Sequence, residues 1–164
     1  MDDILVQNAD EYAARQQLQL AERLGFGIHG IVFSTKNNQN ENNTAVKIHR
    51  SVEPYKRERE IYQRLLDAKV FKILGFHVPK LLNFDDNLRI IEISIVSRPF
   101  VLDFAGAYLD FPPEFPDEVW AEWEAEKQDQ FDKRWPKVQA VLGALEELEI
   151  HMIDVSPSNI AFLD

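Results

Sequence analysis

Leu24-Gly25-Phe26-Gly27-Ile28-His29-Gly30-Ile31-Val32-Phe33 spaces its glycines as G-x-G-x-x-G-x-V, and Ala45-Val46-Lys47 follows after a polar interval. Glycine tolerates positive φ and leaves no Cβ in the way, so a glycine-spaced turn between two strands can lay backbone N–H groups against phosphate oxygens. A lysine on the next strand can reach the same oxygens as a point charge. By itself the spacing fits a tight hairpin with incidental glycines equally well. Residues further along the chain separate the two readings.

Working outward, Tyr12, Leu18 and Leu20 stand among polar positions in 8–23, which suggests a short helix and then a strand entering the glycine turn. Residues 28–35 read as a strand, 36–43 as an exposed, asparagine-rich hairpin tip, and 44–49 as the returning strand. Alternation puts Ala45 and Lys47 on one face of that strand and Val46 and Ile48 on the other. Pro54 suits the first turn of a helix running over 55–66. On its wheel Glu58 falls three before Ile61, four before Tyr62 and seven before Leu65, in the middle of the apolar stripe. An unpaired carboxylate there costs roughly 1–3 kcal/mol even after relaxation, so a cationic partner is expected, and Lys47 is the candidate.

Residues 78–84 and 88–96 read as two more strands joined by Asp85-Asp86-Asn87, the second covered on both faces. Five strands and one helix then form a small lobe, and Ser97-Arg98-Pro99 looks like a connector. Beyond it, 101–108 has helical character and 111–116 is a proline-stiffened excursion. The acidic, aromatic run 120–135 reads as an amphipathic helical surface with buried tryptophans, or as an interaction surface. Pro136 opens a helix with Val138, Val141, Leu142, Leu145 and Leu148 at three- and four-residue steps, ending near Ile150. Asp154 and Asn159 then flank a Pro157 turn before an apolar strand at 160–163. In isolation such a pair is ordinary turn chemistry.

The order of glycine turn, strand lysine, helix glutamate, connector, long helix and D-x-x-x-x-N resembles the protein-kinase-like fold along nearly the whole chain. The resemblance implies an α+β protein with a five-stranded antiparallel N-lobe sheet and one helix over 1–97, and a short, mainly helical C-lobe over 98–164. It also implies roles. Gly25, Phe26, Gly27, Ile28, His29 and Gly30, with Val32 and Ala45, would cover an ATP molecule, and Lys47, paired with Glu58, would hold its α- and β-phosphates. Backbone groups of Val96, Ser97, Arg98 and Pro99 would receive adenine. Asp154 would accept the proton of an acceptor hydroxyl, and Asn159 would bind Mg2+.

Three features depart from the family pattern. Ile153 stands where many members have an arginine, so control through a phosphorylated activation loop is not expected. Ser156 replaces the lysine usual in serine/threonine kinases, which leans toward small-molecule or atypical members. The sequence stops at Asp164 before an Asp-Phe-Gly segment, and Asp164 is a poor substitute for its metal ligand. The expected functions are therefore an ATP-dependent phosphotransferase acting on a small-molecule or protein hydroxyl, a pseudokinase-type nucleotide-binding module, or a nucleotide-independent interaction protein.

Composition narrows the partners. A net charge of −10 argues against nonspecific binding to nucleic acid or to an anionic membrane. The 164 residues contain no cysteine, so disulfides, thiolate zinc sites and cysteine nucleophiles are excluded and a reducing cytoplasm is the expected compartment. His29, His49, His77 and His151 lack metal-ligand spacing and read as surface or satisfied polar residues. The N-terminus has no signal-peptide pattern, and no apolar run approaches a membrane span.

Overall fold

The computed structural model describes residues 2–37 and 43–164. Helix α1 (Asp2–Gln16) leads into β1 (Leu18–Phe26), which turns through the glycines into β2 (Gly30–Asn37). Strand β3 (Thr44–His49), helix α2 (Val52–Asp67) and the short strands β4 (Lys72–Ile73) and β5 (Phe76–His77) follow, then β6 (Leu81–Asp85) and β7 (Ile90–Ser94). The first sheet has five strands in the order β1-β2-β3-β7-β6, antiparallel throughout. The fold is α+β, with the five-stranded antiparallel sheet expected from the pattern. The expected hairpin tip falls largely on 38–42, outside the described residues.

Strand alternation divides the packing between two cores. Ile31, Val46, Ile48 and Ile90 meet Leu5, Ala9 and Tyr12 of α1, whereas Ala45, Ile91 and Ile93 join the core that contains Tyr55, Ile61, Tyr62 and Leu65 of α2. Two helices thus pack on this sheet where one was expected. The N-terminal helix begins earlier than 8–23 suggested and gives way to the expected strand at Leu18: Leu5, Ala9 and Tyr12 make the i, i+4, i+7 stripe, and Gln17, at φ 56°, closes it.

After β7 the chain forms β8 (Phe100–Val101) and β9 (Tyr108–Leu109), then α3 (Asp117–Phe131), a 3-10 turn (Asp132–Arg134), α4 (Trp135–Glu146), β10 (Ile150–His151) and β11 (Ile160–Ala161). A second sheet has the order β11-β8-β5-β4, and β10 pairs with β9. The helical reading of 101–108 is overturned. Asp103 lies at φ 71°, and its neighbours find tertiary partners for the backbone groups a helix would use internally: Val101 pairs with Ile160, and the Leu102 N–H donates to the Asn159 carbonyl at 2.9 Å. Helix α3 is less buried than its tryptophans suggested. Lys127 and Phe131 are its buried residues, Trp120 and Trp123 are half-buried, and Trp135 reaches the core. The larger core runs without a break from Ala45 to Ile160, across the expected lobe boundary at 97. No helix among the described residues is long and apolar enough to cross a membrane.

The α1 face is fixed by a buried carboxylate. Glu92 on β7 accepts hydrogen bonds from the Tyr12 hydroxyl and the Thr44 hydroxyl, each at 2.8 Å. Replacing the phenol while keeping the ring isolates this bond, so Tyr12→Phe is expected to lower stability by about 1–3 kcal/mol in urea unfolding. An unchanged midpoint and slope would show that the bond contributes nothing.

Candidate functional site

The glycine turn forms because its closing geometry admits only one residue type at one of its three glycines. A Cβ on Gly30 would lie 1.9 Å from the Ile48 carbonyl oxygen, whereas Gly25 would meet only Val32 at 3.8 Å and Gly27 has nothing within 4 Å. Gly30 is thus demanded by the sheet. Gly25 and Gly27 would each accept a Cβ without a clash. The Gly27 N–H donates to the Gly30 carbonyl, and Arg50 anchors the turn from β3's end: its backbone N–H donates to His29 O and its Nε to Gly27 O. Arg50 also pairs with Asp2 on α1 at 2.6 Å, and Arg50 and Arg23 both lie over the Phe26 ring. Phe26 and Ile28 remain largely exposed.

Beneath the turn is a cavity of about 720 Å³, within the ordinary range for small-molecule sites. It is lined by Gly25 through Gly30, Val32, Ala45, Lys47, Glu58, Val96 and Asp154. These come from the glycine turn, β2, β3, α2, the segment after β7 and the loop before β11. Ser97, Arg98 and Pro99 fall outside the lining: the Ser97 and Pro99 carbonyls both face His77 Nδ1, and Arg98 reaches toward Asp164 at 3.7 Å. The connector's cavity-facing part is instead Ser94, Ile95 and Val96.

Glu58 organises the inner wall. Its Oε1 accepts from Lys47 Nζ and sits against His49 Nε2, both at 2.7 Å, and its Oε2 accepts the Phe104 N–H at 2.6 Å. Burial alone would raise the Glu58 pKa, but Lys47 and His49 outweigh it and hold the carboxyl at about 2. Burial would likewise favour neutral Lys47, yet Glu58 and Asp103 keep its pKa above the ordinary lysine value. The pairing anticipated from the helix wheel is therefore present.

Asp154 is exposed at the cavity and Asn159 is buried below it. The Asn159 Nδ2 donates to the Asp154 carbonyl at 2.7 Å, and its Oδ1 accepts the Ser156 N–H at 2.8 Å. Asn159 thus shapes the loop that presents Asp154 and lies outside the cavity lining. Two further residues hold this loop. Trp123 Nε1–H donates to the Ile153 carbonyl at 3.0 Å, and a Cβ on Gly106 would come within 3.1 Å of the Asp154 Cβ.

Asp103 is the group that reading the sequence as helix passed over. It lines the cavity, and its Oδ1 accepts from Lys47 Nζ at 2.9 Å. The available signal was the one that singled out Glu58, a lone carboxylate within an apolar run, here Phe100-Val101-Leu102-Asp103-Phe104-Ala105. Among the described residues no group of three or more His, Cys, Asp or Glu side chains converges as a metal site. No family model matches the chain, and no curated protein matches it.

The pH dependence of the Glu58 network has a definite sign. A carboxyl lowered from 4.5 to about 2 contributes stability that is present above pH 4.5 and lost as pH falls through about 2. Glu58→Gln breaks the buried pair and is expected to cost about 3–5 kcal/mol at neutral pH. Urea unfolding of both proteins across the acid range should show the gap narrowing as pH falls from 4.5 toward 2. A pH-independent gap would contradict the ionic origin.

Proposed function

We propose that the chain is a protein-kinase-like nucleotide-binding protein that holds ATP in the cavity beneath the glycine turn. The observation that carries this reading is the Lys47–Glu58 ion pair set in the inner wall of that cavity, under a turn whose Gly25, Gly27 and Gly30 line it. A lysine fixed by a buried carboxylate is a positioned point charge for phosphate oxygens. The apolar side chains of Val32, Ala45 and Val96 give a purine ring surfaces to lie between.

Phosphoryl transfer asks chiefly for positioning and for cations near developing charge. In this reading Asp154 takes the proton of an acceptor hydroxyl as its oxygen bonds to the γ-phosphorus, while the bond from that phosphorus to the β–γ bridging oxygen breaks and ADP leaves. The Asp154 carboxylate, exposed at the cavity, would offer oxygen ligands to a hard cation. Magnesium, when bound with the nucleotide, supplies charge that offsets that of the β- and γ-phosphates. The acceptor class, a small molecule or a protein hydroxyl, is left to the loop around Ser156, which carries no lysine.

A second reading, nucleotide binding without transfer, draws on the Asn159 amide, whose two ends are engaged with the loop backbone. Two measurements separate these readings. Saturating ATP is expected to raise the melting temperature of the wild type by several degrees and to leave Lys47→Met unshifted. Transfer of label from γ-labelled ATP to the protein itself or to a generic acceptor should vanish in Asp154→Asn. Absence of any thermal shift would remove ATP binding, and a shift without transfer would favour the second reading.

A further inference from the structure

Asp103 raises an electrostatic problem for a phosphate site. Its carboxylate opens onto the same cavity as Asp154, and the one cation it touches, Lys47, is already shared with Glu58. Like charges repel more strongly in a partly buried site than in water. With Glu58 offset by Lys47, a triphosphate entering beside the other two carboxylates is opposed unless a further positive charge enters with it.

The backbone holds Asp103 in place from both sides. It adopts φ 71°, in the left-handed region that non-glycine residues enter at a cost. On one side the Leu102 N–H donates to the Asn159 carbonyl, and β8 pairs with β11. On the other the Phe104 N–H donates to Glu58, Arg57 donates to the Ala105 carbonyl at 3.0 Å, and Gly106 abuts Asp154. The Phe104 ring packs edge-on against Tyr62 of α2. The turn is thus clamped between α2 and the Asp154–Asn159 loop, while the Asp103 side chain itself stays 41% exposed and reachable from the cavity.

We propose that Asp103 is a ligand for the divalent cation that accompanies the nucleotide. The inference rests on the ATP-binding reading above. The ligand class is a magnesium–nucleoside triphosphate. Asp103 and Asp154 line one cavity, and among the described residues no group of three or more His, Cys, Asp or Glu side chains converges, so phosphate oxygens would complete the shell, which suits magnesium's habit of binding through one or two carboxylates plus phosphates. On binding, Asp103 exchanges its contact with Lys47 for the cation, and Lys47 turns to phosphate while keeping Glu58.

Calorimetric titration of ATP, in EDTA and in excess Mg2+, tests this on the wild type, Asp103→Asn and Asp164→Asn. Asparagine tolerates the left-handed conformation, so Asp103→Asn keeps the turn, and its melting temperature checks the fold. The wild type and Asp164→Asn should bind ATP about tenfold or more tightly with Mg2+, while Asp103→Asn should lose most of that gain and bind metal-free ATP as well as or better than the wild type. In parallel, the electron paramagnetic resonance spectrum of Mn2+–ATP should change on adding wild type and revert toward the free complex with Asp103→Asn. An Asp103→Asn protein that retains the full metal-dependent gain overturns the Asp103 assignment alone. A wild type that binds no ATP under either condition overturns both it and the reading beneath it.

Discussion

The carboxylate of Glu58 lies fully buried between a strand and a helix, and a charge so placed is tolerated only where donors surround it. Its donors come from separate parts of the chain. Lys47 reaches from β3, His49 from the same strand two residues on, and the Phe104 backbone from the turn after β8. Satisfying one anion therefore joins the five-stranded sheet, α2 and the second sheet. Replacing the network with apolar side chains would remove a desolvation cost, but also contacts that help to fix Lys47 and the Asp103 turn at the cavity.

From that carboxylate the order of the site propagates by short steps. Phe104 sets Asp103, Leu102 is tied to the Asn159 backbone, and the Asn159 side chain shapes the loop that presents Asp154. Trp123, on a helix otherwise largely exposed, holds the same loop at Ile153. The glycine turn is fixed independently, through Gly30 against Ile48 and through Arg50, whose partner Asp2 lies at the start of α1. A firm wall and loop thus face a turn whose tip carries exposed Phe26 and Ile28. Such a division leaves the cavity open to a ligand while its charged groups are already aimed.

Much of this was legible locally. The alternation of Ala45, Val46, Lys47 and Ile48 gave the two faces of β3, and helical spacing put Glu58 in the buried stripe opposite Lys47. What failed was controlled from a distance. Residues 101–108 have side chains compatible with a helix, but β11 and Glu58, remote in sequence, bind their backbone instead, and Asp103 at the cavity went unread as a result. The start of α1 was lost because Leu5 and Ala9 become a stripe only once the second face of the sheet is known to be apolar. The Asn159 amide bonds to the loop backbone at both ends, as an asparagine beside a proline turn commonly does.

The central claim is that the space between the glycine turn and the Lys47–Glu58 pair receives a nucleotide. Amide hydrogen exchange with and without Mg2+–ATP, followed by mass spectrometry, addresses it most directly because backbone from three separate segments encloses that space. The account predicts slowed exchange together in 24–33, 94–104 and 154–159, with the exposed face of α3 unchanged. Identical exchange with and without nucleotide, or protection confined to another surface, would contradict it.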